Sequence, residues 1–284
     1  MAGLAWVDEW LEGRPAPGAA LQALLGAETL PPGSAIFFIL VIVSAMAAAE
    51  LAAILRANNI TASTWVTCVS ALFGLCAAVA APSTRHAELI APLLATAVVL
   101  VLLLSVVYYT RRRTVDGVVA ATGGALLAFV YIGILISFLL MIRQHHSAWV
   151  VLGVLLLTKS CDIGAYFTGR AIGRRKLIVW LSPGKTWEGF FGGIALAMLL
   201  GAVAAWLTQW TETTLALWQG ALAGAVFAVL GQAGDLIASL LKRDAGIKDS
   251  SRALPGFGGV LDVLDSPLLV APAAYWLLLA FMRG

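Results

Sequence analysis

Charge is what this chain has least of. Only 12% of its 284 residues are Asp, Glu, Lys or Arg, against roughly 25% in a soluble domain, and mean hydropathy is +0.94. A water-soluble design is therefore excluded. Cysteine is scarce: Cys68, Cys76 and Cys161 lie in apolar segments and none forms a CxxC. They read as reduced, buried packing residues, which excludes a disulfide framework and a zinc site. The first cation is Arg14, so the basic start of a secretory signal is missing. The strand alternation of a membrane barrel is absent. No internal repeat is visible, and with it goes the signature of many transporters. The net charge of +3 is small; no nucleic-acid partner is expected, and the placement of the charges says more than their sum.

What the chain has is long apolar runs. A span needs about 20 residues, and eight runs qualify: Ser34–Leu55, Thr61–Ala81, Ala87–Tyr109, Val115–Ile142, Ala148–Thr168, Glu188–Thr208, Leu215–Leu241 and Val263–Met282. Spanning segments must satisfy their own backbone. The expected fold is all-α, a polytopic integral membrane protein with about eight transmembrane helices. The fourth run is long enough to tilt or break near Gly123–Gly124. Residues 1–33 stand apart from the unit 34–284. There Leu4, Val7 and Leu11 recur at helical spacing, with Trp6 and Trp10 nearby and Asp8, Glu9 and Glu12 opposite. That pattern predicts a short amphipathic helix at the membrane interface, with its tryptophans at headgroup level; a disordered tail is the alternative. Pro15, Pro17, Pro31 and Pro32 then break the chain.

The cations set an orientation. Most of the 18 lysines and arginines fall in the links after the first, third, fifth and seventh runs: Arg56; Arg111, Arg112 and Arg113; Arg170, Arg174, Arg175, Lys176 and Lys185; Lys242, Arg243, Lys248 and Arg252. The other side holds only Arg14, Arg85, Arg143 and Arg283. The positive-inside rule puts the odd-numbered links in the cytoplasm and both termini outside. His145 and His146, beside Arg143, read as solvated. Arg111–Arg113 reads as a topology anchor touching anionic headgroups, and Asn58–Asn59 as a turn.

Against this background the stretch Gly231–Ser266 concentrates charge: Asp235, Lys242, Arg243, Asp244, Lys248, Asp249, Arg252, Asp262 and Asp265. Asp235 sits inside an apolar run, where a charge marks function by default. Asp235, Ser239 and Lys242, spaced i, i+4, i+7, share a helix face, as do Asp262 and Asp265 at i, i+3. Between the two helices lie Pro255, Gly256, Gly258 and Gly259, and glycine lets backbone amides approach a ligand closely. Three carboxylates able to converge, with cations and a Gly-rich turn, suit a phosphate ester carrying a divalent metal. The plainer reading is a solvated loop with two aspartates capping a helix start.

A second constellation runs from Lys159 to Gly189. Asp162 and Tyr166 share a face at i, i+4. Lys159 is placed to pair with Asp162, either at a site or as a structural intramembrane ion pair. Ser182–Pro183–Gly184–Lys185–Thr186–Trp187–Glu188–Gly189 precedes a span. Hydroxyls, amides and Lys185 at a helix start make an anion site; a plain N-cap, with Glu188 favouring the helix dipole, is the alternative.

Both stretches resemble the CDP-diacylglycerol synthase (phosphatidate cytidylyltransferase) family. The first is similar to its signature S-x-x-K-R-x4-K-D…P-G-H-G-G-x-x-D-R-x-D. Ser239, Lys242, Arg243, Lys248, Asp249, Pro255, Gly256, Gly258, Gly259, Asp262 and Asp265 fall in place. The second is similar to D-x-x-A-Y-x-x-G-R…S-P-K-K-T-W-E-G. Three positions depart from the pattern: Phe257 stands for His, Val263 for Arg and Gly184 for Lys. Glu50, near the end of the first run, also resembles a family position, or lies simply at the interface. The likeness covers about Asp162–Ser266; the N-terminal half matches only in hydropathy.

The resemblance implies that 34–284 is a transmembrane catalytic domain. It implies a nucleotidyltransferase that condenses CTP with phosphatidic acid to CDP-diacylglycerol and pyrophosphate, in the cytoplasmic membrane of a bacterial-type cell with its site facing inward. Asp235, Asp262 and Asp265 would hold Mg²⁺, and Lys242 and Arg243 would act with them. Asp162, Tyr166, Ser182, Lys185, Thr186, Ser239, Lys248, Asp249, Gly258 and Gly259 would bind substrate. The expected partners are CTP, phosphatidic acid and the bilayer, with a homodimer allowed. A sister enzyme acting on another lipid or polyprenyl phosphate, and a non-enzymatic transporter, are the alternatives.

Overall fold

Each apolar run folds as a helix, as backbone satisfaction in lipid requires. The computed structural model describes residues 2–16, 29–83, 89–111, 113, 115–208, 215–251 and 258–282. In chain order its helices are α1 (Ala2–Leu11), α2 (Ser34–Ala57), α3 (Thr64–Ser83), α4 (Ile90–Thr110), α5 (Val118–Leu127), a π-helical segment (Ala128–Ile134), α6 (Leu135–His145), α7 (Ala148–Ile172), α8 (Trp187–Leu207), α9 (Leu217–Asp244) and α10 (Val260–Met282). Between α7 and α8 lies an antiparallel hairpin, β1 (Lys176–Ile178) and β2 (Ser182–Thr186), which hydropathy did not announce. Arg85, Arg252, Pro255, Gly256, Phe257 and Arg283 lie outside the described residues.

Among the described residues, seven rods are long and apolar enough to cross a membrane: α2, α4, the continuous Val118–His145, α7, α8, α9 and α10. The helix α3, 20 residues long, is apolar over its described stretch Thr64–Ala80 and lies beside these seven as the counterpart of the second run. This helix starts three residues later than expected. The Ser63 amide donates to the Tyr109 hydroxyl (3.0 Å), which keeps Thr61–Ser63 outside the helix. No break falls at Gly123–Gly124, which lie inside α5; the helix departs from α geometry further on, in the π-helical segment, where Gly133 packs closely on Ala71 and Gly74 of α3. Asn58–Asn59 form the expected turn, with Asn59 left-handed (φ 59°). The cysteines are free, but only Cys161 is buried; Cys68 is half-buried and Cys76 exposed, against the expectation that all three pack inside.

Small residues let the rods touch. On α8, Gly189, Gly193, Ala197, Gly201 and Ala205 recur every four residues and are buried. A Cβ at Gly193 would lie 2.7 Å from the Cys161 carbonyl oxygen, and one at Gly189 2.8 Å from that of Ala165. Thus α7 and α8 pack backbone to backbone, as small residues permit in lipid. Gly234 of α9 packs in the same way on the Asp265 carbonyl of α10, and Asp235 follows immediately. The main core gathers α2, α3, the π segment, α6 and α10, with Leu51, Leu75, Ile132, Leu268 and Val270 almost fully buried.

The N-terminal helix forms, with Trp6 and Trp10 exposed, but its acidic face is turned to the neighbouring helices, and Asp8 does not meet water as the amphipathic pattern implied. Asp8, 1% exposed, accepts from the Ile36 amide (3.0 Å) and from Arg143 Nε (2.5 Å). Glu12 accepts from Arg143 Nη2 (2.6 Å) and Glu9 from the Ala148 amide (3.2 Å). The first turns of α2 and α7 have amides without intrahelical partners, and neither helix has a side-chain cap of its own. Carboxylates borrowed from α1 supply them. His145 is exposed and His146 half-buried beside this cluster. Burial and His145 hold the His146 imidazole below its usual pKa.

Candidate active site

At the end of the bundle where α7 finishes and α8 begins, a cavity of about 590 Å³ opens, within the range of ligand pockets. Three elements supply its polar walls. On α7, Asp162, Tyr166 and Arg170 stand four residues apart on one face, and Arg170 Nη1 donates to the Tyr166 hydroxyl (2.8 Å). The hairpin brings in Gly184, Lys185 and Thr186, and α9 brings in Gln232 and Asp235. Lys185 Nζ lies 2.6 Å from Asp235 Oδ2 and 2.8 Å from Gln232 Oε1. The hairpin is tied down by Glu188, which accepts from the Arg174 and Arg175 amides (3.1 and 3.2 Å). Thr186 caps α8, accepting from the Gly189 amide (3.1 Å). Here the N-cap reading and the site reading both hold: Thr186 is the cap, and Lys185 beside it reaches into the cavity. Aromatics stand on two walls of the cavity: the exposed Tyr166, beside Phe167, and the half-buried Phe190, beside the exposed Trp187 and Phe191. That is the side-chain type of a membrane–water interface.

A second polar group lies where α9 and α10 meet the link between them. Lys242 Nζ is 2.6 Å from Asp262 Oδ1. Asp262 Oδ2 accepts from the Ser250 amide and hydroxyl and from the Gly259 amide (3.0, 2.9 and 2.9 Å). Glu50 of α2, 7% exposed, accepts from the Val260 and Leu261 amides (2.9 and 2.8 Å) and from the hydroxyls of Ser250 and Ser251 (2.8 and 2.6 Å). A carboxylate over the first amides of a helix is favourable both as a hydrogen-bond partner and towards the helix dipole. It lets α10 begin at Val260, three residues before the apolar run. Gly258 is left-handed (φ +87°), and a Cβ at Gly259 would strike Ser250 and Glu50. These two glycines let the link close over carboxylates; the Gly259 amide is committed to Asp262.

Between the two groups sits Asp265, 5% exposed. Its Oδ1 accepts from the Ser266 amide and hydroxyl (2.6 and 3.1 Å) and lies 3.7 Å from Lys159 Nζ. Lys159 is also 3.6 Å from Asp162 Oδ2. Asp235 is within electrostatic reach of both Asp162 and Asp265.

Asp162, Tyr166, Lys185, Thr186 and Asp235 thus share the cavity, while Lys242, Asp262, Gly258 and Gly259 build the neighbouring group. Ser182 starts β2 and Ser239 lies half-buried on α9; neither lines the cavity. Arg243, Lys248 and Asp249 are exposed. The expected convergence of Asp235, Asp262 and Asp265 is not found. Among the described residues no three His, Cys, Asp or Glu side chains are grouped to hold a metal ion. The physical reason is that both oxygens of Asp262 are engaged by Lys242 and by the link. Reading the residues alone assigned no role to Arg170, Gln232 or Tyr131, and left Glu50 undecided. Gln232, one turn before Asp235 in an apolar run, and Glu50, a carboxylate in a span, carried a signal; Tyr131 carried none.

Magnesium asks for hard oxygen donors and is commonly held by one or two carboxylates together with substrate phosphates and waters. Asp235, paired with Lys185 through Oδ2 alone, and Asp265 suit that demand; Asp262, with both oxygens engaged, does not. Among the described residues the buried Tyr131 hydroxyl, within electrostatic reach of Asp265 and Asp235, has no hydrogen-bond partner, and a buried polar group left so calls for an explanation such as an added ligand.

Residues 20–281 match the model of the cytidylyltransferase family. The phosphatidate cytidylyltransferase of Bacillus subtilis (strain 168) is 39% identical over 161 residues, 56% of this chain and 59% of that protein. That of Synechocystis sp. is 42% identical over 117 residues, 41% of this chain and 39% of that protein. The uncharacterized protein YnbB of Escherichia coli (strain K12) is 42% identical over 130 residues, 46% of this chain and 42% of that protein. The chain spans about half the length of the curated relatives it matches. With a family match over nearly its whole length, on a bundle whose polar groups gather at one end, the chain belongs to the cytidylyltransferase family.

Proposed function

We propose that this protein is a phosphatidate cytidylyltransferase, joining CTP and phosphatidic acid into CDP-diacylglycerol with release of pyrophosphate. The observation that carries the reading is the cavity in which Lys185 and Arg170 stand beside Asp162 and Asp235, at the level of an aromatic rim. Cations there bind phosphate oxygens, and the rim lets a lipid phosphate enter while its acyl chains stay in the bilayer. An oxygen of the phosphatidate phosphate attacks the α-phosphorus of CTP. The bond from that phosphorus to the oxygen bridging the β-phosphate breaks, and pyrophosphate leaves with the electron pair. Lys185, now paired with Asp235, turns to the polyphosphate and stabilises charge that grows on the leaving group. Arg170, steadied by Tyr166, holds a second phosphate. Asp235 and Asp265 are the residues that would hold magnesium, which would supply charge neutralisation for phosphoryl transfer. Glu50 and Asp262 act at a distance, by holding the start of α10 and with it Asp265.

The cation census puts this end of the bundle in the cytoplasm, where CTP is, and the bacterial relatives favour the cytoplasmic membrane. The test is purified protein with labelled CTP, Mg²⁺ and phosphatidate. Pyrophosphate release that depends on phosphatidate is expected. Release only with another lipid or polyprenyl phosphate would establish the sister activity, which the changes at Gly184 and Val263 favour. No release with any lipid phosphate would end the enzyme reading.

A further inference from the structure

The scheme above gives Lys159 no task. This lysine lies inside a membrane-spanning helix, where a charge is costly and by default functional. Its ammonium stands between two helices, 3.6 Å from Asp162 Oδ2 on α7 and 3.7 Å from Asp265 Oδ1 on α10. Both distances exceed the 2.6 Å of Lys185–Asp235 and Lys242–Asp262. They also exceed the ~2.7–2.9 Å of a charge-assisted hydrogen bond. Lys159 is therefore held chiefly by the joint field of two carboxylates. Its side chain is 40% exposed and that of Asp265 7%, so the lysine has room to move and the aspartate has not. Among the described residues Asp265 otherwise has the Ser266 amide and hydroxyl alone, and a buried carboxylate without a cation is expensive.

We infer that Lys159 is the resident counter-ion of this site: its ammonium balances Asp265 and Asp162 until a divalent cation binds, and so sets how weakly that cation is held. The inference rests on the magnesium reading proposed above. Lys159 and a divalent cation compete for the same negative field. A unit positive charge within 4 Å of a ligating carboxylate opposes a second cation there, by an amount that is large in a partly buried site. The gain is that the buried carboxylate is never left unpaired between turnovers. The opposing account is a structural staple between α7 and α10, in which the lysine contributes stability and has no bearing on cation affinity.

The experiment is Mn²⁺ binding to the full chain in detergent, read from the loss of the free-ion electron paramagnetic resonance signal, first without nucleotide and then with CTP. Lys159→Met, which removes the charge and keeps the length, is expected to bind Mn²⁺ about tenfold or more tightly than the wild type, the scale of one unit charge at close range. Lys159→Arg, which keeps the charge, should stay close to the wild type. Should Lys159→Met fail to fold, Lys159→Gln carries the same expectation, since its amide still donates to the carboxylates. A wild type that binds Mn²⁺ and a neutral variant that binds it no more tightly would overturn the counter-ion role and leave the metal reading intact. If neither binds Mn²⁺ under either condition, the metal reading fails and the inference fails with it.

Discussion

Asp262 and Asp265 are three residues apart on one helix, yet they meet different partners. Asp262 gives one oxygen to Lys242 and the other to the link, whereas Asp265 points between Lys159 and Ser266. Asparagine at the two positions should therefore give opposite results. Asp262→Asn leaves the buried Lys242 without its charge partner. That costs up to roughly 3 kcal/mol, read as a melting temperature several degrees lower in detergent. Asp265→Asn and Asp235→Asn keep hydrogen-bonding capacity and should melt within a degree or two of the wild type, but turn over about a hundredfold more slowly or worse. Near-normal turnover of Asp265→Asn at low Mg²⁺ would return Asp265 to a merely structural role. Gly184 poses a separate question, because the family pattern has lysine there. It lines the cavity, its backbone is not left-handed, and a Cβ would meet nothing within 4 Å. Gly184→Lys should fold normally and lower the KM for CTP by about two- to fivefold, the worth of one partly solvated charge contact. An unchanged KM would mean that this rim does not face the nucleotide.

At the scale of elements, the approach of α9 to α10 decides whether Asp235 and Asp265 can act together. Gly234 packs on the Asp265 carbonyl so closely that an added Cβ would overlap it, whereas a Cβ at Gly231 would meet only ordinary contacts, the nearest being Thr158 Cγ2 at 3.4 Å. Gly234→Ala should then cost about 1–3 kcal/mol by overpacking and depress turnover as Asp265 is pushed from Asp235. Gly231→Ala should leave both nearly unchanged. Equal behaviour of the two would show that the helices are not held by this contact. The helices themselves were legible in the sequence because hydropathy is local: each run of apolar residues states its own fate. Their starts were not. The beginning of α10 is fixed by Glu50, some two hundred residues away, and that of α2 by Asp8 of a separate helix. The hairpin was missed because its strands are too short and polar to show a period, and it is held by Glu188 from the following helix. For the same reason the site was half legible. Lys185 and Asp235 each stood out as a charge, but nothing in the chain between them predicts a 2.6 Å pair.

For the molecule as a whole, the two ends of the bundle differ in kind. One end gathers Asp162, Lys185, Asp235 and the exposed cations Arg243 and Lys248. The other carries α1, whose Asp8, Glu9 and Glu12 are bound to Arg143, Ala148 and Trp149. The positive-inside rule assigns the first end to the cytoplasm. The structure says where single-cysteine reporters can be placed to test this. Ser250 is unsuitable, because its hydroxyl donates to Glu50 and Asp262. Asp249, next to it, is exposed, and so is His145 at the other end. The background must lack Cys68, Cys76 and Cys161. Cys161 is 1% exposed and packs close to Gly193, so alanine, smaller and apolar, is the replacement that disturbs it least. In intact cells an impermeant thiol reagent should label His145→Cys and spare Asp249→Cys until the membrane is opened. The reverse pattern would place the cavity outside, away from cytosolic CTP, and would remove the proposed reaction together with the orientation.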